Sequence, residues 1–127
     1  MSKLIFFVDD DRMILHLLEY TFSGRDEYTV QSFRRGEDCL AALNQNPSLI
    51  ILDHSYIGNN SQFTTGLELL REIRNHNQQV DIFVLTANEN ESLKQEYINL
   101  GVKKFITKNE FFIDNLIESI GNYFSKN

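Results

Sequence analysis

The chain has 127 residues, 42% of them hydrophobic and 12% aromatic, and a formal net charge of −6. These values predict one globular domain over residues 1–127 with a sizeable core, and they exclude a disordered chain. An acidic chain without a basic run is a poor match for nucleic acid or for an anionic membrane surface. Its one cysteine, Cys39, excludes an intramolecular disulfide, and the sequence has neither a signal peptide nor a membrane-length apolar run. We therefore expect a reducing, cytoplasmic compartment.

The first part of the chain alternates strand patterns with helical patterns. Lys3–Val8 is a compact apolar run that predicts a strand, and apolar residues then recur at helical spacing over Arg12–Ser23. Tyr28–Phe33 alternates and is rich in strand-forming residues. A helical pattern over Gly36–Asn44 comes next. The run Leu49–Asp53 then has no polar alternation before its last residue, which predicts a strand covered on both faces.

The second part continues the same alternation. Gly66–Arg74 has a helical period, and Val80–Leu85 is a fourth apolar run. A capping-type start at residues 88–91 predicts a helix through Leu100. Val102–Thr107 is the fifth predicted strand, and Glu110–Phe124 is the last predicted helix. Strict alternation of strand and helix predicts an α/β fold with a doubly wound, five-stranded parallel sheet. The flavodoxin-like version of this fold has the strand order 2-1-3-4-5, which the alternation alone does not determine.

Polar residues follow or end four of the predicted strands. Because the carboxyl ends of parallel strands share one edge of a sheet, we expect these residues to converge there, where ligands of such sheets bind. They are Asp9, Asp10 and Asp11 after the first strand, Asp53 at the end of the third, Thr86 after the fourth and Lys108 after the fifth.

This set of residue types suits phosphoryl transfer to a carboxylate. Crowded carboxylates either raise one pKa or recruit a divalent cation, and ligation by oxygen alone favours Mg²⁺ over zinc. The hydroxyl of Thr86 and the ammonium of Lys108 could together neutralise phosphoryl oxygens. Asp53, at the end of a buried strand, is the candidate nucleophile. Asp11 is assigned mainly to capping the first helix.

The motifs at these strand ends resemble those of one family over nearly the whole chain. LIFFVDDD, LIILD, GLELLREIR, VLTA and FITK are similar to the receiver domain of two-component response regulators, of the CheY-like superfamily, here in a stand-alone form. The resemblance implies that Asp53 is the phosphoacceptor and that Asp10 binds Mg²⁺ directly. Asp9 would help to hold the metal, and Ser55 would lend its backbone carbonyl.

The resemblance also implies a switch. Thr86 would bind a phosphoryl oxygen, Lys108 would pair with the same group, and Phe105 occupies the aromatic switch position. Phosphorylation would then change the surface of the fourth helix, fifth strand and fifth helix.

The partner implied by the resemblance is a histidine kinase or a histidine phosphotransfer protein. The chain would not be an enzyme, since it would catalyse only its own phosphorylation and dephosphorylation. Its output would pass to another protein or to a second copy, so we expect a monomer or a phosphorylation-dependent homodimer.

The sequence departs from the family pattern at three places. Asn109 follows Lys108 where relatives have a cis proline, so we expect a trans bond or strain there. The loop over residues 54–65 is long, which suggests a mobile lid or a partner-specific insert. Asn88 and Ser55 occupy positions that tune access of hydrolytic water in relatives.

Two alternatives remain open. The first is a degenerate receiver that binds a partner without phosphorylation. The second is an aspartate-nucleophile phosphohydrolase, suggested by the Asp-x-Asp pattern of Asp9 and Asp11, although Met13 does not fit that motif. The three histidines show no ligand spacing and are predicted to be surface or helix-face residues, and Cys39 is predicted to be a buried apolar group. The histidines are His16, His54 and His76.

Overall fold

Five strands form one parallel sheet at the positions of the five apolar runs. The computed structural model describes residues 2–55, 62–63, 65–87 and 90–125. The strand order is 2-1-3-4-5, so the predicted doubly wound, flavodoxin-like fold is confirmed. The strands are β1 (Lys3–Val8), β2 (Tyr28–Phe33), β3 (Leu49–Asp53), β4 (Asp81–Thr86) and β5 (Val102–Thr107).

Helices connect the strands and cover both faces of the sheet. The carboxylate of Asp11 accepts hydrogen bonds from the N–H groups of Met13 at 2.9 Å and Ile14 at 3.4 Å, so its predicted capping role is confirmed. None of the helices in the described part of the chain is long and apolar enough to cross a membrane. The helices are α1 (Arg12–Ser23), α2 (Gly36–Ala41), α3 (Gly66–His76), α4 (Glu91–Asn99) and α5 (Phe112–Ser125).

The second helix ends earlier than the sequence predicts. The pattern predicts one helix over Gly36–Asn44, but α2 ends at Ala41 and a short 3-10 helix follows over Leu43–Gln45. Asn46 then adopts a left-handed backbone conformation, with φ 57°. Because proline disfavours the right-handed α conformation in the residue before it, Pro47 prevents a helix from continuing through Asn46.

Other element ends differ from the predictions by one or two residues. The side chain of Asn90 caps α4 by accepting a hydrogen bond from the N–H of Leu93 at 3.0 Å, which sets the first turn of that helix. Asn109 forms a similar turn before α5, since its side chain accepts from the N–H of Phe111 at 2.9 Å. The observed ends are Asp81 and Thr86 for β4, His76 for α3, Glu91 and Asn99 for α4, and Phe112 and Ser125 for α5.

The core consists of two apolar clusters, one on each face of the sheet. Side chains of β3 alternate between them: Ile50 and Leu52 pack with α2, α3 and α4, whereas Leu49 and Ile51 pack with α1 and α5. Every residue of β3 is buried, as its unbroken apolar run predicts. Cys39 is a free, buried cysteine of the first cluster, so its predicted role as a small apolar group is confirmed.

Candidate functional site

The central strands bring two buried carboxylates together at the carboxyl edge of the sheet. Asp53 is the last residue of β3 and is 3% exposed, and Asp9 directly follows β1 and is 2% exposed. Val8 and Leu52 are register partners in the parallel pair β1 and β3. The two aspartates therefore lie side by side, one residue further along each strand.

A third carboxylate completes an acidic cluster. Asp9, Asp10 and Asp53 can each offer one oxygen so that all three oxygens lie within 4.8 Å of one another. Carboxylate oxygens are the ligands that hard divalent cations such as Mg²⁺ prefer, so this donor set fits such an ion. Asp10 is fixed through its backbone, because its carbonyl oxygen accepts a hydrogen bond from Nε of Arg34 at 3.4 Å. The cluster could therefore hold a metal ion.

Lys108 supplies the positive charge of the site. Its Nζ lies 3.1 Å from Oδ2 of Asp9 and 3.1 Å from Oδ1 of Asp53. Its backbone N–H donates to the carbonyl oxygen of Thr86 at 2.9 Å, which ties the end of β5 to the end of β4. The peptide bond between Lys108 and Asn109 is trans, as predicted, and Lys108 reaches the acidic cluster without a cis bond.

The electrostatic environment makes Asp53 harder to ionise than an ordinary aspartate. The pKa of Asp53 is raised to about 6, first by burial and then by the nearby charge of Asp9, while Lys108 and the N–H of Ser55 oppose the increase. Burial lowers the pKa of Lys108, but the charges of Asp53 and Asp9 outweigh this effect, so its pKa is raised overall. Lys108 therefore remains an ammonium at neutral pH.

Backbone groups and one glycine fix the end of β3. The N–H of Ser55 donates to Oδ1 of Asp53 at 3.2 Å, and Oδ1 of Asp9 accepts from the N–H of Asp11 at 2.9 Å. A Cβ at Gly66 would lie 2.6 Å from the carbonyl oxygen of Asp53, so only glycine lets α3 start this close to Asp53. Ser55 is exposed, and the use of its carbonyl as a metal ligand stays a prediction.

The two predicted switch residues lie on β4 and β5. Thr86 ends β4 and is 4% exposed, and its neighbour Leu85 is the register partner of Asp53. Phe105 is half-buried on β5, where its ring lies edge-on to Tyr97 with 6.0 Å between the ring centroids. Thr86 is therefore at the site, whereas Phe105 lies one layer away against α4.

A contact between His54 and Tyr97, which the sequence did not predict, lies next to the site. Their Nδ1 and Oη atoms share a hydrogen bond of 2.5 Å, and their rings are edge-on at 5.5 Å. Burial lowers the pKa of His54, and burial with the charge of Asp53 raises that of Tyr97. His54 is half-buried in the turn after β3 rather than on a helix face, whereas His16 and His76 are exposed on helices as predicted. The one available signal in the sequence was the single aromatic residue of the fourth helix, Tyr97.

Part of the predicted loop lies outside the described residues. Residues 56–61 and 64 of the 54–65 loop are outside the described part of the chain, and so is Asn88. The lid or partner-insert role of the loop, and the effect of Asn88 on hydrolytic water, stay predictions.

The comparisons with known proteins agree with this fold. A family model for the response regulator receiver domain matches residues 5–120. The chain is 32% identical over 109 residues to the alkaline phosphatase synthesis transcriptional regulatory protein PhoP of Bacillus subtilis (strain 168), covering 85% of this chain and 43% of that protein. It is 33% identical over 113 residues to the transcriptional regulatory protein FlgR of Helicobacter pylori (strain ATCC 700392 / 26695), covering 89% of this chain and 27% of that protein.

Structural comparison supports the fold. The chemotaxis protein CheY4 of Vibrio cholerae has a TM-score of 0.80 and 22% sequence identity, with 96% of this chain and 98% of that chain covered.

The fold and the acidic strand edge together define a doubly wound α/β domain of the CheY-like class. The chain belongs to the response regulator receiver domain family of two-component systems. It spans less than half the length of the two curated relatives described above.

Proposed function

We propose that Asp53 is the phosphoacceptor of a two-component phosphorelay. The observation that carries this proposal is the convergence of two further carboxylates and one ammonium on Asp53. The family match supports it, because receiver domains of response regulators are phosphorylated by histidine kinases. The donor for this chain would be a phosphohistidine on a histidine kinase or on a histidine phosphotransfer protein.

In the proposed reaction, a carboxylate oxygen of Asp53 attacks the phosphorus of the phosphohistidine in line. A P–O bond forms to Asp53 and the P–N bond breaks, and the electron pair of the broken bond stays on the histidine nitrogen. The product is an acyl phosphate. Since the pKa of Asp53 is about 6, most molecules carry the ionised, nucleophilic form at neutral pH.

The carboxylates of Asp9, Asp10 and Asp53 would hold Mg²⁺, to which Ser55 would add its backbone carbonyl. When bound, the ion would supply positive charge that screens the repulsion between the acceptor and the incoming phosphoryl group. This proposal is supported by the all-oxygen donor set of the three aspartates.

Lys108 and Thr86 would bind the transferred group. Lys108 already contacts Oδ1 of Asp53, so its ammonium is within reach of an oxygen added to that carboxylate. Thr86 ends the neighbouring strand and would donate its hydroxyl to another phosphoryl oxygen. Movement of Thr86 would leave space for Phe105, and the surface formed by α4, β5 and α5 would change as a result.

The proposal includes no separate substrate, so the chain would catalyse only its own phosphorylation and dephosphorylation. Its output would pass to a partner protein or to a second copy of the chain, and its compartment would be the cytoplasm. The acidic net charge of −6 supports a protein partner over nucleic acid.

The proposal is tested by incubating the protein with Mg²⁺ and acetyl phosphate and measuring intact mass. We expect a labile phosphoryl adduct in the wild type and in Asp26→Asn, a matched change of an exposed carboxylate, but not in Asp53→Asn. No adduct, together with no binding of beryllofluoride, would support the degenerate receiver instead. Turnover of a phosphate monoester that depends on Asp9 but not on Asp53 would support the phosphohydrolase.

A further inference from the structure

The fourth helix packs on the sheet through one fully buried side chain, with the partly buried Leu93 beside it. All nine residues of α4 are described, and Tyr97 alone among them is buried, at 1% exposure. By contrast, α3 has five buried residues, and α1 and α5 each have three. The position of α4 against the sheet therefore depends strongly on what Tyr97 contacts.

Tyr97 contacts the residue next to the acceptor and the predicted switch residue at once. Its hydroxyl shares the 2.5 Å hydrogen bond with Nδ1 of His54, and its ring lies edge-on to Phe105. His54 directly follows Asp53 in the chain. One side chain of α4 thus contacts both the neighbour of Asp53 and the predicted switch residue Phe105.

The backbone of His54 is fixed on both sides. Its N–H donates to the carbonyl oxygen of Leu85 on β4 at 2.9 Å, and its own carbonyl oxygen accepts from the N–H of Gly66 at the start of α3 at 3.1 Å. His54 is therefore a stationary partner, and any displacement of α4 along the sheet changes the distance between its Nδ1 and the hydroxyl of Tyr97.

We propose that the hydrogen bond between His54 and Tyr97 is a tether that holds α4 in its unphosphorylated position. This inference rests on the proposed function, in which an acyl phosphate on Asp53 draws Thr86 towards it. Because α4 begins shortly after Thr86, at Glu91, the helix shifts with that strand end while His54 stays in place. The tether is then broken on phosphorylation, and Tyr97 is a positioning residue.

The proposal makes a directional prediction, because coupling between two sites is reciprocal. Removing an interaction that exists only in the unphosphorylated arrangement favours the phosphorylated one. Tyr97→Phe should therefore bind beryllofluoride, in the presence of Mg²⁺, about fivefold more tightly than the wild type. That ratio corresponds to about 1 kcal/mol, a typical net hydrogen bond.

The test is a beryllofluoride titration of full-length wild type and variant, followed by amide chemical shifts, with hydrogen exchange of the α4 amides measured alongside. In Tyr97→Phe we expect the α4 amides to exchange faster than in the wild type before beryllofluoride is added. Their exchange rates should then change less when it is added. The matched control is Tyr123→Phe, which removes a hydroxyl that donates to Asp81. Asp81 is the first residue of β4, at the opposite edge of the sheet, so this control should leave beryllofluoride affinity unchanged.

A second variant keeps the proposal testable if Tyr97→Phe folds poorly. His54→Phe keeps an aromatic ring but lacks Nδ1, so it should also tighten beryllofluoride binding, and the double variant should bind no more tightly than either single variant. Equal or weaker binding by the single variants, with wild-type binding intact, would overturn the tether but leave the phosphoacceptor proposal standing. A wild type that binds no beryllofluoride and forms no adduct would overturn both.

Discussion

Replacing Asp53, the proposed acceptor, should stabilise the metal-free protein, and the gain in stability should depend on pH. Burial, together with the nearby charge of Asp9, raises the pKa of Asp53 from 3.8 to about 6. The folded state therefore holds a proton on this carboxyl to higher pH than the unfolded state does. As pH rises from about 4 to about 6, the folded state loses stability, and the loss persists at higher pH. Asp53→Asn removes this titration, because an amide stays neutral throughout.

The size of the effect follows from the same shift. The pKa of Asp53 is raised by about two units, and each unit is worth about 1.4 kcal/mol, so the free energy of unfolding of Asp53→Asn should exceed that of the wild type by up to about 3 kcal/mol at pH 8. Near pH 4 the two proteins should be almost equally stable. Because the three carboxylates of the cluster could hold a divalent ion, adding Mg²⁺ at pH 8 should stabilise the wild type and narrow the difference.

The assay is urea unfolding from pH 4 to pH 8 in a chelating buffer, analysed by linear extrapolation. Asp26→Asn, at an exposed position, controls for the loss of one negative charge from an acidic chain. If the gain of Asp53→Asn were the same at pH 4 and pH 8, or matched that of the control at pH 8, the buried carboxylate would not be the cause and the reasoning would fail.

Three further predictions concern the residues around the acceptor and the core. Gly66→Ala should lower the free energy of unfolding by about 1–3 kcal/mol, because the new Cβ meets backbone atoms of Asp53 and His54. Gly121→Ala, within α5 and with nothing within 4 Å, should raise it by about 0.5–1 kcal/mol, and urea unfolding measures both. Lys108→Met should lower the free energy of unfolding by about 3 kcal/mol at pH 8 and by less at pH 4.5, because the substitution leaves ionised Asp53 without its cation. Equal losses of stability at the two pH values would contradict this prediction. Cys39 is buried with its pKa raised to about 12, so a chromogenic thiol reagent should label it at a rate that follows unfolding, and rapid labelling of native protein would refute that.

The features that the sequence predicts well are those that depend on local patterns. The apolar run of β3 is buried on both faces because its side chains alternate between two clusters that are both apolar. The convergence of Asp9, Asp53 and Lys108 is also predictable, since parallel strands place their carboxyl ends on one edge. The strand order came from the flavodoxin-like fold rather than from the alternation, which is compatible with other orders.

The features that the sequence does not predict depend on distant contacts or on neighbouring backbone. Nothing in the run around His54 indicates a partner on α4, because Tyr97 is far away in the chain and its burial becomes apparent only once the helix is docked. The early end of α2 is a second example. The apolar face continues through Leu43, but the backbone there tightens into a 3-10 helix, and Pro47 keeps Asn46 out of the helical conformation.

The acceptor site combines two requirements that oppose each other. Burial of Asp53 next to Asp9 costs stability, because two carboxylates lose water and repel each other. The same burial leaves Lys108 with only partial access to solvent, so its ammonium interacts with both carboxylates more strongly than it would in water. An incoming phosphoryl group at this edge would meet charges that are already oriented, and little reorganisation would be needed during transfer. The destabilisation predicted for metal-free Asp53 and its proposed reactivity therefore have a common physical cause, and Asp53→Asn should gain stability and lose phosphorylation together.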